Sequence, residues 1–461
     1  MQRVMTSCDR FLTKHFTRPS ITWRESFAII LPLIAENVVA QMTTLINSAM
    51  ISASGVTSLA AVTLVDTLNA FLNVFYLGIS VGASIVVANY RGMGDMKKLH
   101  ESCVQAVTAV TLFTTGTALL IILFHKQILL LLFGQAEQEV MEKATLYLLG
   151  GAITFPVIGV TAATCGVWRG IGEGKNSLFF SICSAVTYML TNIIFLNILD
   201  LGITGLVLSL GVSRLMNLLT VKLIKKLTHS TFRFKMKELL HIDKGVFGSI
   251  LKMGMPVAIE NMFFQGGRLV TSVIIVPMGT NATVIYNVGY AIMQLTQTFV
   301  GAVSTALYTI VGICFGAKRK QDVKDLTKTY FWVNTVLYVL MLVFFPLYFN
   351  PLVSLYHPTQ EIIHDIWICA FTTTLAQPII HNLAFMLAYV FRAAGDGNYC
   401  TIASLIIMWG VRIFGSLVIG RWMGFGVIGV WSALLIDWVV RAVVYPLHYK
   451  KGKWLTHKVI E

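Results

Sequence analysis

One apolar phrase occurs twice in this chain, and the repetition constrains the fold more than any other feature. Pro32-Leu-Ile-Ala-Glu36-Asn37-Val-Val-Ala-Gln41 recurs as Pro256-Val-Ala-Ile-Glu260-Asn261-Met-Phe-Phe-Gln265, 224 positions later. The same offset relates Gly55 to Gly279, Gly92 to Gly316, Gly202 to Gly426 and Gly205 to Gly429. Near the end of each copy, Arg169-Gly-Ile-Gly-Glu-Gly answers Arg392-Ala-Ala-Gly-Asp-Gly at an offset of 223. The runs around these phrases approach the roughly 20 apolar residues that cross a bilayer. A duplicated membrane domain with a buried carboxylate at the same place in both copies is the pattern expected of a transporter.

Composition supports a polytopic membrane protein. Of 461 residues, 56% are hydrophobic and 12% charged, and the mean hydropathy is +0.75. A soluble domain carries about 25% charged residues. The net charge of +14 invites a nucleic-acid reading, but the basic residues sit in alternate loops, so no nucleic-acid partner is expected. Twelve helices are predicted at 26–50, 59–89, 103–124, 144–168, 177–198, 202–224, 249–275, 284–314, 329–350, 363–391, 400–420 and 425–448. With both termini and the even loops on one side, that side holds 28 of the 35 Lys and Arg residues. The other side holds three, Lys126, Lys143 and Arg421, while Arg214, Arg268, Arg412 and Arg441 lie deep within helices. The positive-inside rule then places both termini in the cytoplasm.

The organisation that follows is a cytoplasmic N-terminal segment (1–25), a six-helix bundle (26–224), a basic cytoplasmic linker (225–248), a second six-helix bundle (249–448) and a short tail (449–461). Six helices per half give both copies the same orientation, hence a pseudo-twofold axis along the membrane normal with a central cavity on it. The basic start is read as carrying no cleavable signal peptide. Seven cysteines without a CxxC pair argue for packing rather than a metal or disulfide role. Pro32 and Pro256 fall in the first helix of each half and Pro156 and Pro378 in the fourth, where each frees a carbonyl and favours a bend.

At several segments the chain resembles the multidrug and toxic compound extrusion (MATE) family, in its bacterial branch. The resemblance rests on the proline-started first helix, on Gly55-Val-Thr-Ser-Leu-Ala-Ala, on Gly92-Met-Gly-Asp-Met-Lys-Lys, on Arg169-Gly-Ile-Gly-Glu-Gly-Lys, and on Asn192 through Gly202-Ile-Thr-Gly205. It implies an all-α fold of twelve transmembrane helices in two bundles around a central cavity. It also implies multi-pass insertion in a bacterial inner membrane and export of amphipathic, cationic organic compounds against Na⁺ or H⁺. A monomer in the lipid bilayer, with no cofactor beyond the coupling ion and no metal site, is the expected state. The chain departs from the family at three places. Asn47 stands where many relatives have a first-helix aspartate, Leu196 follows Asn192 where some have an aspartate, and Ile380 and His381 stand where others have one in the tenth helix.

Coupling is therefore expected to fall on other acids. Glu36 and Glu260 lie about ten residues into their helices, roughly 15 Å at 1.5 Å per residue, near the bilayer midplane. A charge there costs roughly 2.5 kcal/mol or more and is kept for protein or water contacts. Such a carboxylate can be neutralised in turn by a proton and by a cationic substrate. Asn37, Gln41, Asn261 and Gln265 are the expected hydrogen-bonding neighbours, and Asp66 is a third candidate acid. Arg268, eight residues and only ~80° around the helix from Glu260, is the expected ion-pair partner. Asp437 and Arg441 at i,i+4 are expected to pair with each other, and Phe71, Phe75, Met262, Phe263 and Met293 are expected on the cavity wall. The alternatives are a flippase for lipid-linked precursors, which calls for a strongly cationic cavity, and a non-transporting membrane protein. No nucleophile–base cluster or nucleotide loop supports an enzyme, and an ATP-driven pump lacks its P-loop.

Overall fold

The structure is a computed structural model. It describes residues 9–10, 12–52, 56–133, 137–228, 230, 232, 238–239, 242–457 and 459, with side chains described outside 44–60. The described residues are helical apart from short connections and one isolated bridge between Arg18 and Ile21. Fifteen helices follow in order: α1 Trp23–Ser52, α2 Val56–Met93, α3 Met96–Phe133, α4 Gln138–Ile153, α5 Phe155–Gly170, α6 Gly174–Asn192, α7 Gly202–Leu227, α8 Lys244–Ile275, α9 Thr280–Gly316, α10 Lys320–Val343, α11 Phe345–Ser354, α12 Gln360–Ala376, α13 Leu387–Ala393, α14 Gly397–Ile407 and α15 Gly426–Lys451. π-helical turns occupy Ile193–Ile198, Gln377–Met386, Met408–Ile413 and Ser416–Trp422.

Ten of these segments are long and apolar enough to cross a membrane, and the bent pair α4–α5 makes eleven. The twelfth is α8, whose 32 residues rise about 48 Å at 1.5 Å each. Its Lys244, Lys252, Glu260 and Arg268 keep it from being apolar enough to count among those eleven. Leu131, Leu347 and Ile379 are among many large apolar side chains that stay exposed, as a lipid-facing surface requires.

Prolines explain where the predicted helices break. The segment predicted as 144–168 is two helices meeting at 49° around Thr154, because Pro156 has no N–H to continue the ladder. The segment predicted as 329–350 likewise ends at Val343 and restarts at Phe345 with Pro346 in its first turn. Around Pro378 the chain instead widens into a π-helical turn over Gln377–Met386. Pro32 and Pro256 sit inside uninterrupted helices. The predicted end of the third helix at 124 is a kink, with Phe124 at φ −114°, ψ 15°, and the helix runs on to Phe133.

The chain forms two compact units, one of residues 27–258 and one of residues 259–459 with the N-terminal stretch up to Ser26. The dividing point lies inside α8. Its first part belongs to the earlier unit because glycines let the backbones touch. A side chain on Gly78 would strike the Ala258 backbone and one on Gly82 the Gly254 backbone. The core of that unit gathers Val65, Tyr76, Phe155 and Leu206 from α2, α5 and α7. In the later unit Ile285, Cys369, Ile413 and Trp431 bring together α9, α12, the Met408–Ile413 turn and α15. The N-terminal stretch is tied into this later unit through Arg18 to Asp325 (3.3 Å) and the Ser20 hydroxyl to Asp322 (2.5 Å).

Candidate functional site

Each unit contains one cavity with a glutamate from the repeated phrase on its wall. The cavity of residues 27–258 has a volume of about 610 Å³, and that of the later unit about 450 Å³. Positions 224 apart line both: Glu36 matches Glu260, Asn73 matches Gln297 and Leu210 matches Leu434.

The two glycine-rich motifs place the arginines that meet these glutamates. In Arg169-Gly-Ile-Gly-Glu-Gly, Gly172 takes φ +79°, and the Glu173 N–H donates to Trp168 O at 2.7 Å. In Arg392-Ala-Ala-Gly-Asp-Gly, Gly395 takes φ +92°, and the Asp396 N–H donates to Phe391 O at 2.9 Å. Both are left-handed glycine stops that close a helix and satisfy its last carbonyls. They fix the arginine on the final turn, Arg169 on α5 and Arg392 on α13.

Arg169 then lies 3.7 Å from Glu36, and Arg392 lies 2.5 Å from Glu260. The first pair is loose, with side chains 22% and 17% exposed. The Ser177 hydroxyl of α6 donates to the other Glu36 oxygen at 3.0 Å. The second pair is tight, at 11% and 5% exposure. Here Ser404 on α14 donates to Glu260 at 2.6 Å and accepts from Arg441 at 2.7 Å. Arg441 also donates to Asp437 at 3.1 Å, and Arg392 to the Tyr308 hydroxyl at 3.1 Å. A continuous chain, Arg392–Glu260–Ser404–Arg441–Asp437, runs through the later unit.

Several expectations change on this geometry. Arg268 does not pair with Glu260. It is exposed and lies over the Tyr290 ring at 4.4 Å, because eight residues carry it roughly 12 Å along α8 from Glu260, beyond ion-pair reach. The expected Asp437–Arg441 pair is present. Met293 lines the 450 Å³ cavity, whereas Met262 and Phe263 are exposed, with Phe263 packed edge-on to Trp409. Phe75 stacks on Phe113. Of the polar companions, Asn261 lines the later cavity, Asn37 and Gln265 are half-buried and Gln41 is exposed. The Asn47 side chain lies outside the described residues.

Asp66 lines the earlier cavity and accepts from the Tyr147 hydroxyl at 3.1 Å. Arg214, without an evident partner in sequence, donates to Gly151 O at 3.1 Å and to the Thr154 hydroxyl. It serves carbonyl and hydroxyl oxygens at the α4–α5 break, where proline interrupts the ladder. Sequence reasoning missed the two motif arginines as partners of the glutamates. The signal was available, since both the glutamates and the arginines repeat at nearly the same offset. His381 lines the later cavity, bonded to Tyr338 at 2.8 Å and stacked on Phe385 at 4.3 Å between ring centres.

Comparison with known proteins agrees with this architecture. The MatE family model matches residues 32–194 and again 256–418. The chain is 23% identical to a probable multidrug resistance protein NorM of Thermotoga maritima, covering 95% of this chain and 94% of that one. It is 21% identical to the uncharacterized transporter YisQ of Bacillus subtilis, covering 98% and 97%. Among solved structures, an outward-facing multidrug resistance MATE family transporter of the MOP superfamily superposes with a TM-score of 0.84 at 16% identity, over 94% of this chain and 96% of that one. A MATE structure in the bent conformation gives 0.84 at 16% identity, over 93% and 95%. With its model matched twice and covering well over half of the residues, the chain belongs to the multidrug and toxic compound extrusion (MATE) family of membrane transporters.

Proposed function

We propose that this chain is a secondary-active antiporter that exports amphipathic, cationic organic compounds in exchange for H⁺ or Na⁺, from a bacterial inner membrane with both termini in the cytoplasm. The observation that carries the reading is the repeated, cavity-lining glutamate held by a helix-terminal arginine, Glu36 with Arg169 and Glu260 with Arg392. A proton or Na⁺ arriving at such a carboxylate neutralises it and weakens its hold on the arginine. Because that arginine ends α5 or α13, the local change in charge bears on the position of a whole helix. Alternating access needs a linkage of this kind between ion binding and helix movement. Asp66, which is bonded by Tyr147 and Asn69 and has Arg214 nearby but makes no ion pair among the described residues, is the carboxylate most open to a cationic group.

Counterflow of a fluorescent organic cation in proteoliposomes, under separately imposed Na⁺ and pH gradients, tests the proposal. One gradient is expected to drive uptake above the passive rate, with the membrane potential adding roughly 2.3 kcal/mol per charge per 100 mV. The triple variant Glu36→Gln, Asp66→Asn, Glu260→Gln is expected to lose gradient-driven movement. Undiminished transport by that variant would show that these acids are structural.

A further inference from the structure

The two cavities have diverged in charge at matched positions. Across the 224-residue offset, Asp66 becomes Tyr290, Tyr188 becomes Arg412 and Asn217 becomes Arg441, all six lining their cavities. Two changes run the other way: Arg214 gives way to Trp438, and Ser213 to Asp437, an acid behind the lining that Arg441 engages. The lining of the later cavity thus loses one acid and gains two arginines for the one it gives up.

Three arginines, Arg392, Arg412 and Arg441, share two acids here. Glu260 is engaged by Arg392, and Asp437 by Arg441. Arg412 is 8% exposed and makes no ion pair among the described residues. Its polar surroundings are Tyr286, Asp437 and Tyr290. With Asp437 shared between Arg412 and Arg441, one positive charge stays uncompensated in the cluster, which is costly unless an anion joins it. Arg412 stands on the π-helical turn Met408–Ile413, and such a widened turn re-aims side chains and is frequent at functional sites. The cavity it lines has the size of small-molecule sites and an aromatic wall including Phe264, Phe385 and Trp438.

We propose that the cavity of the later unit binds an organic anion, with a carboxylate seated on Arg412 and an aromatic body against that wall. A planar guanidinium matches a carboxylate through two parallel hydrogen bonds, and aromatic side chains favour an aromatic body by stacking or edge contacts. The assignment goes beyond the cationic cargo of the exporter reading by giving the later unit a second, anionic ligand class, and it rests on that reading only in calling the ligand cargo.

The test is binding of 1-naphthoate to the full-length protein in phosphatidylcholine nanodiscs, where no anionic lipid competes, followed by tryptophan fluorescence. With Asp66→Asn removing the open acid of the other cavity, the protein is expected to bind 1-naphthoate more tightly than 1-naphthylmethylammonium. Arg412→Gln is expected to weaken naphthoate binding about tenfold to a hundredfold, and Arg412→Lys to recover part of the loss. Should Arg412→Gln fail to fold, the lysine variant and the order of the two probes still decide. Preference for the ammonium, or unchanged naphthoate binding in either Arg412 variant, overturns the proposal. Tighter displacement by inorganic pyrophosphate than by naphthoate overturns the carboxylate assignment in favour of a phosphate ligand. Gradient-driven cation counterflow with no Arg412-dependent naphthoate binding would defeat this inference alone. Arg412-dependent binding without driven transport would defeat the exporter reading alone.

Discussion

Replacing Glu260 by Gln separates the two copies of the repeated glutamate by their energetics. Glu260 receives Arg392 at 2.5 Å and Ser404 at 2.6 Å, and both charged partners are nearly shielded from solvent. Removing one member of such a pair leaves a guanidinium with no counter-charge, which in fully buried pairs costs about 3–5 kcal/mol. The glutamine carbonyl still accepts from Arg392, and the cavity admits some water, so about 3 kcal/mol is expected here. That is on the order of a hundredfold in the folding equilibrium. Glu36→Gln breaks a 3.7 Å pair whose side chains are 17% and 22% exposed, and about 1 kcal/mol or less is expected. The assay is equilibrium unfolding in detergent of Glu260→Gln, Arg392→Gln and the double variant. The double variant should be less destabilised than the two single losses added together, with a coupling of about 1–3 kcal/mol. Strict additivity would refute the pairing, and equal losses for Glu36→Gln and Glu260→Gln would refute the ranking by burial.

Two further expectations follow from the fold. Cysteines placed at the exposed positions Thr228 and Thr456 should resist an impermeant thiol reagent in intact cells, whereas those at Thr280 and Glu361 should react; external labelling of Thr228 would overturn the topology drawn from the basic loops. Gly82→Val should lower thermal stability by about 1–3 kcal/mol, because its side chain meets the Gly254 backbone rather than a movable side chain; a neutral outcome would show that α2 and α8 are not held this closely.

Much of this protein was legible along the chain because the bilayer imposes one-dimensional rules. Apolar length dictates where helices cross, and only some prolines, Pro156 and Pro346 but not Pro32 or Pro256, mark where they break. Pro156 and Pro346 show the limit of that legibility, since a hydropathy run does not register a bend and two helices were read as one. The duplication announced two equivalent units and put Glu36 and Glu260 at the same depth in each.

The sequence by itself therefore determined the membrane class, the repeat and the buried acids, all of which depend on residue type and spacing within one helix. Tertiary structure alone decided what those acids face. Arg268 is eight residues from Glu260 and was the natural partner by proximity, yet the partner is Arg392, 132 residues away. Rise along a helix and the placement of Arg392 at the end of α13 outweigh closeness in sequence, because an ion pair needs contact within about 4 Å and eight residues rise roughly 12 Å. The same holds for Arg412, whose identity was plain but whose surplus charge emerged only once Arg392, Arg412 and Arg441 were seen to share the two acids Glu260 and Asp437.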